Sequence, residues 1–389
     1  MNGLRRALLL SCLAGCGLGV SLIFTAVGPI LSTIATQFGG SAKGNLIAQL
    51  MVTLPSIGVI IGGPAVGILA GRMGSRLLLF MSLAAYGLAG IGGLVISSAY
   101  PLLATRFMLG IAAAGVATGS TALIADLLTG NLRARVLGYS SAVASAGAIA
   151  SIFVAGSLAD MGGWHLPFVI YGIGFVLLAL GLASVPATSR PRVARLNSSS
   201  RKSLFALWRI YASLVAVTVV VFMTGIQVSF LLAARDIPKP GDQAWIIACA
   251  SVGATLGALA YARVRQGLGS AWTLILFVAV MGIGNLVLGS QQQPYLLAFG
   301  CALNGIGGGM TVPHFASRII EAAPEGVRPQ ALGFMYTMIF VGEFVNPWVV
   351  TPLHLQFGIA VAFLCIGAGA LLTSGLSAAR QLMWARAQE

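Results

Sequence analysis

Charge is what this sequence has least of. Only 8% of its 389 residues are Asp, Glu, Lys or Arg, and just eight are acids. A soluble globular chain carries about 25% charged residues, so a water-exposed surface of ordinary composition cannot be built from this one. Histidine is nearly as scarce. His165, His314 and His354 are scattered, and no His-Glu-x-x-His run occurs, so a metal cluster is not expected. The five cysteines (Cys12, Cys16, Cys249, Cys301, Cys365) lie inside apolar runs at no metal-ligand spacing, so free, buried thiols are expected and no disulfide framework. A Walker loop is missing, which leaves ATP hydrolysis without support. Alternating strands of about ten residues are missing too, which excludes a membrane β-barrel. No enzyme constellation remains, and no cofactor is implied.

What is abundant is apolar length. Hydrophobic residues make up 58% of the chain, and the few charges cluster. The runs between them predict twelve helical membrane spans, at about 8–34, 46–70, 77–97, 101–124, 136–158, 167–186, 209–234, 243–262, 271–289, 294–317, 331–351 and 355–379. The expected class is therefore an all-α polytopic membrane protein. The net charge of +14 would suit a nucleic-acid binder, but its distribution argues otherwise. With the N-terminus inside, nearly all basic residues fall on the cytoplasmic side, including Arg5, Arg72, Arg76, Arg133, Arg328 and Arg380. Only Lys43, Arg106, Arg235 and Lys239 fall elsewhere. That is a topology signal, with both termini cytoplasmic in a bacterial inner membrane. It implies a lipid bilayer as partner and no nucleic acid.

Residues 187–203, "ATSRPRVARLNSSSRKS", form a polar, basic linker. They divide the chain into a six-span bundle at 1–186 and another at 204–389. The halves repeat. One ungapped offset carries Tyr100 onto Tyr295, Gly110 onto Gly305, Asp126 onto Glu321, Arg133 onto Arg328, Gly138 onto Gly333 and Gly147 onto Gly342. Internal repeats of this size point to a transporter built from two similar bundles around a midplane site.

The motifs then narrow the class. The loop after span two reads "GILAGRMGSR" and is similar to the Gly-x-x-x-Asp-Arg-x-Gly-Arg-Arg/Lys signature of the major facilitator superfamily. Gly67, Arg72, Gly74 and Arg76 match it, while Gly71 stands where the family has Asp and Ser75 where it has the first Arg of the final pair. "RFMLG" at 106–110 resembles the family's span-four motif with its buried arginine. "GGWHLPF" at 162–168 is similar to its Gly-Trp-Arg-x-x-Phe stretch, with His165 in place of Arg. The span-five Gly-Pro motif is poorly kept, because "ASAGAIASIFVAG" has no proline. "TLPSIGVIIGGP" in span two resembles drug and metabolite exporters. The resemblance covers the whole chain. It implies two pseudo-symmetric six-helix bundles, a monomer, and a cytoplasmic loop that helps latch the bundles, here weakened or rebuilt without its Asp.

Inside the spans, polar residues are few enough to weigh singly. Glu343 is the only deep acid, a little past the middle of span eleven. A carboxylate there must face protein or water and be paired or protonated. It is either a proton-coupling group or a protonated acid bonded between helices. Tyr336, Phe340 and Glu343 share one helix face with Asn346 beside them, an arrangement suited to an amphipathic cation or a proton. Arg106 is the only deep base. The resemblance implies a part in proton coupling or in ordering the cavity; it could equally bind an anion or donate to carbonyls. Thr224 with Gln227 on span seven, and Asn304 with Thr311 on span ten, are candidates to line the cavity or to bond helix to helix. Gly67, Arg72, Gly74, Arg76, Asp126, Arg133, Glu321 and Arg328 are the expected cytoplasmic gate residues, the last four as duplicated ion pairs.

The expectation is a secondary transporter working by alternating access, exporting a small amphipathic organic molecule in exchange for protons. Proton-coupled uptake of a small anionic metabolite, with Arg106 on its carboxylate, stands as the alternative, and a non-transporting membrane sensor as a third.

Overall fold

The computed structural model describes residues 3–27, 30–39, 42–186, 204–237 and 240–386. The linker at 187–203 lies outside them. The described residues are helical almost throughout and contain no strand. A chain this apolar has no water to satisfy its peptide groups within a bilayer, and the helix satisfies them within each segment.

All twelve predicted spans are met by helices. Among the described residues, ten helices are long and apolar enough to cross a membrane. One of them, Pro240–Ser290, holds spans eight and nine, broken at Gly269, whose φ of 75° only glycine adopts without strain. Span eleven, Arg328–Phe357, is not among the ten, although it has the length; Glu343, Asn346, Pro347 and Pro352 dilute its apolar run. Span one differs from the single run expected at 8–34, and is formed by Gly3–Gly15, Leu18–Thr25 and Leu31–Gln37.

Two compact units interleave along the chain. One comprises 1–136, 146–208 and 319–340; the other comprises 137–145, 209–318 and 341–389. In the first unit, spans two and four meet backbone to backbone. A Cβ on Gly58 would run into the Phe107 carbonyl, and one on Gly110 into the Pro55 carbonyl. In the second unit, spans eight and ten repeat the seam. Gly253 lies on the Ala302 carbonyl and Gly305 on that of Ala250. Each of these four pairs maps onto its partner by the offset that carries Tyr100 onto Tyr295. Without a hydrophobic drive between helices in lipid, close backbone approach of this kind supplies the packing. A third equivalent pair joins borrowed segments to their hosts: Gly333 sits on the Gly63 carbonyl, and Gly138 on that of Ala258.

The core of the second unit gathers Met223, Leu231, Ile246, Leu288, Cys301, Val350 and Phe363 from six spans. Phe153, Phe344, Trp348 and Leu372 are exposed instead, as a lipid-facing surface requires. Cys12, Cys16 and Cys301 are buried and free as expected. Cys249 is half-buried, and Cys365 corrects the expectation, being exposed on this apolar exterior.

Candidate functional site

Span seven is not a regular helix. Trp208–Phe222 is α-helical, Met223–Gln227 widens into a π-turn, and Val228–Ala233 resumes the α-helix. A π-turn holds one extra residue and loosens the ladder of carbonyls around it. Two carboxamides from other spans bridge it. Thr224 Oγ1 donates to Asn304 Oδ1 at 3.1 Å, and Asn304 Nδ2 donates to the Val220 carbonyl at 3.0 Å. Gln227 Nε2 donates to Asn346 Oδ1 at 2.9 Å, and Asn346 Nδ2 donates to the Val219 carbonyl at 2.8 Å. The backbone acceptors fix which end of each amide is nitrogen, since a flipped amide would set oxygen against oxygen. All four side chains are buried.

The structure thus brings together four of the residues picked from sequence, in spans seven, ten and eleven. Thr311 does not join them; its hydroxyl donates to Gly307 on its own helix at 3.2 Å.

Glu343 lies three residues before Asn346. Its neighbour Gly342 packs so closely on span seven that a Cβ there would strike Thr218 Oγ1. The Glu343 side chain is half-buried. Its Oε2 is enclosed without a hydrogen-bond partner, and among the described residues it has no cation to pair with. Among the described residues it is the one acid set deep in a span, and it stands one helical turn from a layer of hydrogen-bonded amides.

In the first unit, Arg106 is fully buried. Its guanidinium carbon lies 4.7 Å from the Phe168 ring centre and 4.9 Å from that of Tyr171. Nη2 donates to the Gly90 carbonyl at 3.0 Å, near the end of helix Ser75–Ile91, while Nε and Nη1 are unpartnered. Cation–π contact and a helix-end carbonyl both favour a fixed positive charge. Tyr336 and Phe340 are buried in this unit, the Tyr336 hydroxyl 2.9 Å from Thr121 Oγ1.

The loop residues separate by role. Gly74 carries a φ of 88° at the turn into span three. Arg72 is exposed, while the Arg76 guanidinium stands 5.1 Å from the Phe80 ring centre. A Cβ on Gly67 would come within 2.8 Å of Gln330 Cα, and one on Gly71 would overlap the Gln330 amide. Asp126 accepts from Ser75 Oγ at 3.2 Å. Arg133 donates to the carbonyls of Leu128 and Ala125, at 2.8 Å and 3.2 Å, within the electrostatic reach of Arg328, Glu321 and Asp126. Asp126, Arg133, Glu321 and Arg328 therefore share one electrostatic neighbourhood, in which Arg133 is held by backbone carbonyls.

Comparison with known proteins matches this architecture. Residues 13–235 and 229–380 fit the sequence profile of the Major Facilitator Superfamily. The chain belongs to the Major Facilitator Superfamily. Multidrug resistance protein 1 of Bacillus subtilis is 33% identical over 167 residues, 42% of this chain and 39% of that one. The multi-drug resistance efflux pump PmrA of Streptococcus pneumoniae is 22% identical over 372 residues, 90% of this chain and 91% of that one. The crystal structure of the human organic anion transporter MFSD10 (TETRAN) superposes with a TM-score of 0.80 at 16% identity, over 96% of this chain and 99% of that one. This member of the superfamily is a multi-pass membrane transporter with the superfamily's twelve helices in two bundles.

Several residues around these groups carry no clear mark in the sequence. Phe168, the last residue of "GGWHLPF", and Tyr171 enclose Arg106 from a segment remote in sequence; the motif marks Phe168, and only the three-residue spacing in "PFVIY" marks Tyr171. Thr121 and Thr218 look like ordinary helix threonines. His314 is fully buried among Tyr261, Phe277 and Phe315, with both ring nitrogens unpartnered, and its sequence position shows none of this.

Proposed function

We propose that this superfamily member exports a small amphipathic organic molecule in exchange for protons, with Glu343 as the proton carrier. One observation carries the reading: a deep carboxyl whose Oε2 is enclosed, unpartnered and without a cation. Such a group is tolerated in a bilayer as the neutral acid. It becomes useful when an entering organic cation, or water from an opened cavity, lets it give up its proton. Proton and substrate then alternate on one group, which is what makes a proton gradient do work on the substrate. The efflux pump of Streptococcus pneumoniae supports export, and the drug-resistance names of both bacterial relatives support an organic substrate. Arg106 is assigned a structural part, since rings and carbonyls already enclose it. The protein works as a monomer in a bacterial inner membrane, with both termini cytoplasmic, by alternating exposure of a central cavity.

The test is a thermal-shift panel of organic cations, anions and neutral metabolites at two pH values, on wild type and Glu343→Gln. A cationic or neutral ligand should stabilise wild type in a pH-dependent way, and the variant should lose the pH dependence. Stabilisation by anions alone, equal in both proteins, sinks the proposal and moves attention to uptake.

A further inference from the structure

We infer that the π-turn Met223–Gln227 is the hinge of span seven, and that Asn304 and Asn346 are positioning residues that staple its bent form. The hydrogen bonds have one logic, repeated. Each carboxamide accepts from a side chain on the turn itself, Thr224 or Gln227. Each then donates to a carbonyl on the turn before, Val220 or Val219. Each asparagine therefore spans the widened turn from outside, one from span ten and one from span eleven. Straightening span seven into an unbroken α-helix shifts its register by one residue, a rotation of about 100° beyond the turn. Thr224 and Gln227 cannot then keep their partners while Val219 and Val220 keep theirs. The turn has two states, staples made or staples released, as a hinge requires.

The chemistry of the staples suits that use. A buried amide hydrogen bond contributes a modest net stability, so the four staple bonds can be exchanged without unfolding the helix. Left without partners in lipid, the amides are costly, so their release needs replacement donors and acceptors, whereas the Thr224 hydroxyl can turn to the Val221 carbonyl 3.2 Å away. Water or a polar substrate in an opened cavity supplies them. Gly225 lies within the turn, and a Cβ there would meet only Phe222 Cδ1 at 3.7 Å, so close packing does not explain the glycine. Asn346 sits one helical turn from Glu343 on the same helix. The staple from span eleven thus ties the hinge to the helix that carries the carboxyl. The hinge rests on the transporter reading; the proton role of Glu343 can fail without it.

Hydrogen–deuterium exchange on the full-length protein in lipid nanodiscs needs no substrate to test it. In wild type, amides of residues 223–232 should exchange about tenfold faster than those of 297–303 in span ten. Asn304→Leu and Asn346→Leu should each speed residues 223–232 by about ten- to a hundredfold, the worth of the two hydrogen bonds each asparagine makes with span seven, and leave the far ends of spans ten and eleven unchanged. Deleting Gly225, which removes the extra residue, should slow the segment to the span-ten rate. Equal protection of the two segments in wild type overturns the hinge, even if the deletion does not fold. So does loosening that spreads along spans ten and eleven, which is what a packing defect gives. Glu343→Gln separates the two proposals. If it leaves exchange unaltered while the asparagine variants loosen the turn, the hinge stands without the proton carrier; if those variants loosen nothing, the hinge fails whatever Glu343 does.

Discussion

The two halves of this chain agree where helices touch and disagree where chemistry is placed. The seam of spans two and four and the seam of spans eight and ten use equivalent glycines against equivalent carbonyls. The same offset sets Glu343 opposite Ala148, Asn346 opposite Ser151, Asn304 opposite Leu109, and Arg106 opposite Cys301. Packing is thus a property of the repeat, whereas Glu343, Asn304, Asn346 and Arg106 each belong to one half without a like counterpart in the other. A duplicated bundle keeps what every copy needs to fold and is free to vary the rest. The groups present in only one half are therefore the ones to examine for coupling.

The comparison can be broken at several points. The largest effect is expected at the seams. Gly110→Val and Gly305→Val each drive side chain into backbone, and each should cost about 4 kcal/mol or more. Measured as thermal midpoint and yield of monodisperse protein, the losses should match; a severe loss in one half alone would end the idea of equivalent seams. Next comes Arg106→Leu, which removes a donor to the Gly90 carbonyl and leaves its ring-lined slot partly empty. About 2–3 kcal/mol should be lost, visible by chemical denaturation in detergent. Cys301→Ala, at the equivalent position, should cost less. Smallest is the effect of Glu343→Gln on stability. The amide keeps the shape of the neutral acid, so the melting midpoint should move by no more than about 2 °C. A large drop there would mean that Glu343 holds helices together, and that its proton role is secondary.

Much of the fold could be read in advance because lipid imposes a simple rule on sequence. Twelve apolar runs, a basic linker and one ungapped repeat led to twelve helices in two bundles. The site was partly legible. Glu343, Arg106, Asn304, Asn346, Thr224 and Gln227 could be picked out because polar groups are rare in these spans. What they do with one another could not be read. The π-turn depends on one extra residue in a run with no proline to mark it, and the staples depend on which faces of spans ten and eleven meet span seven. The enclosure of Arg106 depends on rings more than sixty positions away. The first break of span one falls at Cys16 and Gly17, small residues that a membrane helix tolerates, so nothing in the sequence marks it.

The glycine seams have a consequence for how the gene can change. A glycine codon that mutates either stays glycine or gains a side chain. At Gly58, Gly110, Gly253, Gly305 and Gly333, a Cβ already meets a backbone carbonyl of another helix. These positions have no tolerated neighbour in mutational space. Inactivating mutations under random mutagenesis should therefore gather along the seams. Variants that shift substrate range should arise among the polar residues of the second half, where single changes are survivable.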